Sequence, residues 1–442
     1  MGCDAFGRFY RTVTAKQGRT AGGRMAEKPY QWANNSAVLE DHSRCKHKIL
    51  REYFFQYLTV RCRLPQQERF RLAVIDGFAG GGRYQCGTSG SPLIFIEELK
   101  HAIETVNAQR AAQGFSLIEI ECLLVLNDFS RDAIETLKGN IAPLQAEITE
   151  NLPRLHLRIE YLTDTFEAGY PQMKKFLEQG RYRNVLFNLD QCGHSHVERS
   201  TLLDIMRAHP SVEIFYTFAI EALLSFLQKT DPVQLAAQLR PFDIEPTGLN
   251  VLNGAMSKYN WLGAAERLVF DTFHTCAPFV SPFSINNPGG WRYWLIHFAN
   301  FYMARQVYND VLHRNSTAQA HYGRSGLNML SYDPSHEDGS LYLFDVSGRE
   351  NARTQLLADI PRLISESGDA IGVRDFYEGI YNATPAHTDD VHQAIIENPD
   401  VEVITPAGGE RRSANTIGVQ DTLKLKRQKS FFPMFLDAAK KN

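Results

Sequence analysis

The sequence predicts an α/β fold in which helices cover both faces of a mostly parallel sheet. Between residues 72 and 218, short apolar runs alternate five times with helix-periodic segments, a pattern typical of a doubly wound parallel sheet. Acidic or amide residues follow four of these runs, and a glycine-rich turn follows the first. Because ligands bind outside the carboxyl ends of such strands, we expect a binding site there.

Composition bounds the number of domains and the class of protein. A chain of 442 residues exceeds one average domain, so we expect two or three units. Its net charge of −3 excludes a uniformly basic nucleic-acid coat but permits a local basic patch. Seven scattered cysteines suit a reducing compartment rather than a disulfide framework. No apolar run approaches the ~20 residues of a membrane span, so we expect a cytoplasmic protein that has no membrane contact.

The glycine-rich turn is the most informative stretch. It reads Asp76-Gly77-Phe78-Ala79-Gly80-Gly81-Gly82-Arg83-Tyr84 and follows the apolar run 72–75. Glycine lets a ligand approach the backbone and accepts the positive φ of tight turns. The pattern is neither a dinucleotide fingerprint nor a phosphate loop, and no lysine follows to neutralise a triphosphate. It predicts the S-adenosylmethionine loop of a Rossmann-like methyltransferase, while an ordinary glycine-rich turn is the alternative.

The candidate cofactor-binding residues in this turn are glycines, which have no side chain, and residues near them. They are Asp76, Gly77, Phe78, Ala79, Gly80, Gly82 and Tyr84. S-adenosylmethionine is the cofactor that we expect them to hold.

Acids after the second and third strands extend this predicted site. Asp128 ends the second strand, where related folds bind ribose hydroxyls; capping of the helix that starts near Ser130 is the alternative. Asp164 follows the third strand, 155–162, and is placed to accept a hydrogen bond from an adenine amine. Its alternative role is a helix cap ahead of Phe166.

The fourth strand, Asn184–Asp190, supplies the candidate catalytic residues Asn188 and Asp190. Amino-methyltransferases place an Asn or Asp at this point, and Asp190 could accept a hydrogen bond or a proton from the incoming nucleophile. Two alternatives remain open. Cys192, His194 and His196 include zinc-ligand types, and Asp76, Asp164 and Asp190 could hold magnesium in a hydrolase, although no lysine-bearing nuclease motif accompanies them.

A helical pattern between residues 32 and 62 precedes the first strand. Lys46 and His47 lie on it, near the expected mouth of the ligand site, where they could contact a phosphate or carboxylate. The alternative is that they belong to a solvated basic face.

The chain divides into four predicted regions. Residues 1–31 form a disordered basic tail without the apolar core of a secretory signal. Residues 32–312 form the methyltransferase domain, which has a helical insert at about 226–275. Two apolar runs at 279–285 and 292–298 predict a closing antiparallel hairpin, which a methyltransferase sheet has and a dinucleotide sheet lacks. Residues 313–349 are predicted to be a linker.

Residues 350–442 predict a winged helix-turn-helix domain. Three helix-periodic segments precede a strand at 401–404, a turn that contains two arginines, and a further strand. Arg411, Arg412 and Lys426 are the candidate nucleic-acid-binding residues, because cations near a wing contact phosphates. The full expectation is a Rossmann-like class I methyltransferase sheet, mostly parallel with an antiparallel closing hairpin, plus this C-terminal domain.

With these residues in view, the chain resembles the bacterial three-Cys-motif partner proteins. The similarity lies in 76–84, in Gly90-Ser91-Pro92-Leu93, in the aromatic segment 292–305, and in the upstream helix with Lys46, His47 and Tyr53. The resemblance implies a Rossmann methyltransferase with a C-terminal winged helix. It also implies a partner, a radical-S-adenosylmethionine-like protein that carries three cysteines.

Two positions depart from that family. Gly81 stands where the family usually has proline, and Asp190-Gln191-Cys192-Gly193 stands where it has Asp-Pro-x-Gly. Proline fixes φ and restricts the residue before it, so its absence leaves the catalytic loop less constrained.

Two functions follow from the sequence. The first is a methyltransferase that acts on nucleic acid, with the target base held by an aromatic residue such as Tyr84 or Trp291. The second is a non-catalytic scaffold or sensor that binds S-adenosylmethionine or nucleic acid and serves the partner protein. The altered motif at 190–193 favours the second.

Overall fold

A computed structural model describes most of the chain between residues 32 and 426. The described residues are 32, 35–191, 193, 195–227, 232–244, 265, 268–286, 292–315, 319–322, 341–343 and 346–426. The predicted tail at 1–31 and Trp291 lie outside them, as do Cys192 and His194 of the proposed metal cluster.

Nine strands of the described residues form the main sheet. They are β1 (Arg69–Asp76), β2 (Glu119–Asn127), β3 (Leu155–Leu162), β4 (Asn184–Leu189), β5 (Ser211–Phe218), β6 (Phe279–Asn286), β7 (Arg292–Ala299), β8 (Gln319–Tyr322) and β9 (Leu341–Leu343). Their spatial order is β3-β2-β1-β4-β5-β7-β6-β8-β9. Strands β1 to β5 are mutually parallel, which confirms the predicted α/β, Rossmann-like architecture.

Eight helices accompany this sheet in the described residues with complete bounds. They are α1 (Asp41–Arg61), α2 (Ser91–Ala112), α3 (Arg131–Asn151), α4 (Phe166–Gly180), α5 (Arg199–Ala208), α6 (Ile220–Phe226), α7 (Pro232–Leu239) and α8 (Tyr302–Arg314). No helix in the described part of the chain is both long enough and apolar enough to cross a membrane.

Alternation along the strands builds a core on each face. In β1, Leu72 and Val74 pack with residues of α1, α2, α3 and α8. Ala73 and Ile75 pack on the opposite face with residues of α4 to α7. All four side chains are fully buried, as expected for a strand covered on both faces, which is why this run is continuously apolar.

The closing hairpin is present, and the sheet extends beyond it. β7 pairs antiparallel with both β5 and β6. The predicted insert at 226–275 contains α7 and a helical stretch at 268–274. The predicted linker at 313–349 contains β8 and β9, which pair antiparallel at the edge of the sheet.

A second unit follows, with its own small sheet. Its elements are α9 (Val346–Glu366), β10 (Ala370–Gly372), α10 (Val373–Ile380), α11 (Thr388–Glu397), β11 (Val401–Ile404) and β12 (Thr422–Leu425). The antiparallel strand order is β10-β12-β11. Leu356, Phe376, Ile395 and Leu423 form its core, to which Tyr302 of α8 contributes.

Helix α8 connects the two units by polar contacts as well. The Arg305 Nε donates to the Tyr381 carbonyl at 3.0 Å, and the Asn309 Nδ2 donates to the carbonyls of Thr384 and Ala386 at 3.0 and 3.2 Å. Both side chains are fully buried. Burial lowers the pKa of Arg305 to about 9.

Candidate functional site

The carboxyl ends of β1 and β4 meet at the point where the strand order reverses. Chain connections leave β1 and β4 toward opposite sides there, which opens a crevice in folds of this kind. Asp76 and Asn188 are register partners across the two strands. The Asn188 Nδ2 donates to the Asp76 Oδ1 at 3.2 Å, and the Gly77 N–H donates to the Asn188 carbonyl at 2.9 Å.

Asp76 is the most unusual acid of this crevice. It is fully buried, and its Oδ2 has no hydrogen-bond partner among the described residues. Burial raises the pKa of Asp76 to about 7, and the neighbouring Asp190 adds to the rise, while the nearby Ser91 hydroxyl and the Asn188 amide oppose it. A buried carboxylate oxygen without a partner is costly, so a donor from a ligand would be strongly favoured at this atom.

Asp128 lies against the glycine turn, as the sequence predicts. Its Oδ2 accepts a hydrogen bond from the Gly80 N–H at 2.9 Å, and its Oδ1 accepts one from the Ser130 N–H at 2.8 Å. Ser130 itself caps α3 by accepting from the Ala133 N–H. Burial raises the pKa of Asp128 despite the two backbone bonds.

The glycine turn needs glycine, but side chains occupy the space beside it. Gly80 and Gly82 have φ of +60° and +81°, which L side chains rarely adopt. A Cβ on Gly80 would lie 2.4 Å from the Trp32 Cζ2, and one on Gly77 would lie 2.7 Å from Phe166. The room that the sequence suggests for a ligand is therefore filled at Gly77 and Gly80.

The remaining residues of the turn face different neighbours. The Phe78 ring stacks on Phe166 with a centroid distance of 5.8 Å, and the Ala79 N–H donates to the Asn127 carbonyl at 2.8 Å. Tyr84 is buried, and its ring lies 5.1 Å from that of Trp32 and 5.6 Å from that of His47.

Asn127 is a site residue that sequence reasoning missed. Its Nδ2 donates to the carbonyls of Gly77 and Asp164 at 3.1 and 3.0 Å. This buried amide therefore connects the turn after β1 with the end of β3. Its position immediately before Asp128, at the end of an apolar strand, was the available signal.

Asp164 and Phe129 are exposed residues that follow β3 and β2. Asp164 is exposed, and Thr165 rather than Asp164 caps α4 by accepting from the Ala168 N–H. The cap alternative for Asp164 is therefore wrong. Phe129, which sequence reasoning did not single out, is 78% exposed beside Asp128. The two follow strand ends that are in register, Asn127 opposite Leu162, so an aromatic face and a carboxylate flank the same edge.

Asp190 forms an ion pair with Lys46 of α1. Only 8% of the Lys46 side chain and 21% of the Asp190 side chain are exposed. Burial alone would raise the pKa of Asp190, but the Lys46 ammonium and the Thr217 hydroxyl outweigh burial and hold that pKa below its usual range. Asp190 is therefore a carboxylate at neutral pH.

His47 and Tyr53 lie on the buried face of the same helix. Burial lowers the pKa of His47 to about 4, so the ring is neutral, and its Nδ1 has no partner among the described residues. The solvated-face alternative is therefore wrong for Lys46 and His47, and it describes Lys48, which is exposed. Tyr53, the third residue of the resemblance on this helix, is deeply buried and donates its hydroxyl to Glu213.

A narrow cavity separates these groups. The volume that the centre of a water molecule can reach in it is about 10 Å³, so the cavity has room for one water-sized group. Its lining residues are Lys46, His47, Leu50, Ser91, Asn188, Asp190, Phe215, Thr217 and Leu295. Both candidate catalytic residues thus line one cavity, which in this conformation is too small for a nucleoside.

Gln191 fixes the loop that lacks the proline of the family motif. Its Nε2 donates to the Tyr216 hydroxyl at 2.8 Å, and its Oε1 accepts from the His196 N–H at 2.9 Å. Gly193 accepts from the Ala219 N–H at 3.1 Å. These contacts constrain the loop by hydrogen bonds where proline would constrain it covalently. Within the described residues, no group of three or more His, Cys, Asp or Glu is placed to hold a metal.

The three candidate nucleic-acid-binding residues line one groove of about 240 Å³ in the second unit. Arg411 is committed to Asp421, a buried acid, with Nε–Oδ2 and Nη2–Oδ1 distances of 3.0 and 3.3 Å. Arg412 is 86% exposed and lies 3.8 Å from Glu410. The Lys426 Nζ donates to the Pro399 carbonyl at 3.0 Å. Arg412 and Lys426 are therefore exposed, whereas Arg411 is half-buried and paired.

No model of a protein family matches the chain, and no curated protein sequence matches it.

Proposed function

We propose that this chain is an S-adenosylmethionine-dependent methyltransferase with a class I methyltransferase sheet. The strand order supports this. A dinucleotide-binding sheet has the order 3-2-1-4-5-6, whereas here an antiparallel β7 lies between β5 and β6. Because β6 and β5 are each antiparallel to β7, β6 runs parallel to β5, so β7 alone is reversed among the first seven strands.

The observation that carries the proposal is the unpartnered Oδ2 of Asp76 beside the glycine turn. The α-ammonium of S-adenosylmethionine would supply the missing donor. Asp128 would accept from ribose hydroxyls, while Asp164 and Phe129 would contact the adenine through its amine and its ring face. The donors and acceptors of these residues match those of the cofactor, and its binding requires that Phe166 beside Gly77 and Trp32 beside Gly80 move.

S-adenosylmethionine supplies a methyl group on a sulfonium sulfur, so the protein has mainly to bind and align the reactants. Asp190, held as a carboxylate by Lys46, is suited to accept a hydrogen bond from an amine N–H. It is a weak base at neutral pH because its pKa is low. Asn188 fixes Asp76. With the cofactor held at Asp76 and Asp128, Asp190 would orient the amine toward the methyl group that the cofactor would supply, and solvent would take the amine proton.

We further propose a winged helix for the second unit and nucleic acid as the substrate. The helix-strand-helix-helix-strand-strand order and the sheet order β10-β12-β11 support the domain type. Arg412 and Lys426 are the cations that would contact phosphates. The three-Cys-motif partner protein is proposed on the sequence resemblance alone.

A non-catalytic scaffold or sensor is the second candidate. Asp190 is already paired with Lys46, and the charge of Arg411 is neutralised by Asp421. Helix α11 would be the recognition helix of a winged helix, yet it carries Asp389, Asp390 and Glu397 and no Lys or Arg. A helix without cations is poorly suited to a phosphate backbone, which favours docking of a protein.

Titration calorimetry with S-adenosylmethionine, followed by transfer of a labelled methyl group to DNA, RNA or protein, tests the proposal. We expect a micromolar dissociation constant for the cofactor and at least about tenfold weaker binding by Asp128→Ala. We also expect the labelled methyl group to appear in nucleic acid. Glu150→Gln, an exposed change on α3, is the control. Failure of the folded protein to bind the cofactor would contradict the proposal. Binding without transfer to any of the three would support the scaffold.

A further inference from the structure

We propose that Trp32 gates the cofactor site, because its indole occupies space over the glycine turn that S-adenosylmethionine must take. This inference rests on the proposed function and deepens it. It assigns to a residue before α1 a role that neither the turn nor the strand ends would suggest.

The contact between Trp32 and the turn is direct. A Cβ on Gly80 would lie 2.4 and 2.6 Å from the Trp32 Cζ2 and Cε2, and one on Gly81 would lie 2.9 Å from its Cε3. The indole thus packs on bare backbone at two consecutive residues. Gly80 is also the residue whose N–H is held by Asp128 at 2.9 Å. The ring therefore lies on the residue that connects the turn to Asp128, the proposed ribose-binding residue.

The packing of Trp32 is separate from the cores of the sheet. It packs against a small cluster of Ala37, Leu39 and Tyr84, distinct from the two clusters on the sheet faces. A small peripheral cluster can open without disrupting the main core, so its opening free energy is low compared with global unfolding. Displacement of the indole is therefore compatible with an intact sheet.

The polar contacts nearby would let the turn keep its shape when Trp32 leaves. The Asn140 Nδ2 donates to the Gly81 carbonyl at 2.8 Å and to the Asn35 Oδ1 at 2.8 Å. The Gln85 N–H donates to the Ala37 carbonyl at 2.9 Å. Loss of the Asn35 contact would leave Asn140 still bonded to the turn. The site could thus open on one side while Asp128 and Asn140 hold the backbone.

A competing side chain lowers the apparent affinity by the fraction of molecules in which the site is open. Removal of the indole should therefore tighten cofactor binding, whereas removal of a stacking platform would weaken it. The sign of the change distinguishes a gate from a contact residue.

The test is calorimetry of S-adenosylmethionine binding to the full chain with Trp32→Ala, Trp32→Phe and the control Val38→Ala, an exposed neighbour. We expect the dissociation constant to fall about fivefold in Trp32→Ala and to stay unchanged in Val38→Ala. In the wild type, cofactor should increase tryptophan quenching by acrylamide, and Trp32→Phe should lack that increase.

Equal or weaker binding by Trp32→Ala, with unchanged quenching in the wild type, would overturn the gate while leaving the proposed function intact. Absence of binding by both the wild type and Trp32→Ala, each shown to be folded by circular dichroism, would instead overturn the proposed function and the gate with it. The quenching measurement on the wild type keeps the proposal testable if Trp32→Ala does not fold.

Discussion

The acids at the strand ends have different protonation behaviour although they lie close together. Asp76 is fully buried next to an amide, and its pKa rises to about 7, while Asp190 is paired with an ammonium and its pKa falls. Position in the sequence does not distinguish the two, because both follow apolar strands. The difference comes from residues far along the chain, chiefly Lys46.

Asp76→Asn should change the pH dependence of stability. The folded-state pKa of Asp76, about 7, exceeds its ordinary value of 3.8. The folded wild type therefore retains a proton that the unfolded chain loses, and its stability declines as pH rises from about 4 to about 7, by up to about 4 kcal/mol. Asn has no such proton, so the variant should gain relative stability across that window. Urea unfolding at pH 5, 6, 7 and 8 measures it, and a pH-independent difference would contradict the assignment.

Lys46→Met should destabilise the protein because it leaves Asp190 as an unpaired carboxylate. Removal of one partner of a buried pair costs about 3–5 kcal/mol, and partial exposure of Asp190 places the expected loss near about 3 kcal/mol. Addition of Asp190→Asn should restore part of it. Chemical denaturation measures both, with the exposed Lys48→Met as a control that changes stability by less than about 0.5 kcal/mol.

Among the helices and strands, the sequence predicts those that contain long apolar runs. Strands β1 to β7 and their alternation with helices follow from period and length, and β3 has the predicted bounds. Strands β8 and β9 were missed because they have four and three residues, and Gln319–Tyr322 has no apolar run. The contact of Asp128 with Gly80 could be predicted, since parallel strands end at one edge of the sheet. The contact of Trp32 with Gly80 and the ion pair of Lys46 with Asp190 could not, because local sequence patterns carry no information on residues so far apart in the chain.

The two arginines of the β11–β12 hairpin should respond differently to alanine. Arg411→Ala leaves the buried Asp421 without its charged partner and with only the Gly418 N–H as a donor among the described residues, so the second unit should lose about 2 kcal/mol of stability. Arg412→Ala removes an exposed cation and should leave stability within about 0.5 kcal/mol. If the unit binds nucleic acid, Arg412→Ala should reduce the slope of log binding constant against log salt concentration by about 1, because one fewer phosphate is neutralised. Denaturation and fluorescence anisotropy at several salt concentrations test both changes.

The whole molecule should lose stability on acidification before its carboxylates are protonated. Burial lowers the pKa of His42 and His47 to about 4 and that of His313 to about 3. The pKa values of His209, His274, His297 and His392 are also lowered. As pH falls below about 6.5, the unfolded chain binds protons that the folded chain does not, so stability falls toward pH 4.

Thermal unfolding followed by circular dichroism between pH 4 and 8 measures this decline. Asp76, Asp128 and Asp310, whose pKa values are raised, oppose this decline, but they are three groups against seven. A melting temperature that stays level from pH 6.5 to pH 4.5 would show that these histidines are protonated in the folded protein. His313→Asn should make the decline shallower.

The hydrogen bonds from α8 to the second unit have a geometric consequence. Arg305 and Asn309 hydrogen-bond to the backbone of 381–386, so α8 is fixed to the unit that carries Arg412. If the proposed nucleic-acid binding and methyl transfer are correct, a polymer bound at Arg412 would be methylated at a fixed offset from the bound segment.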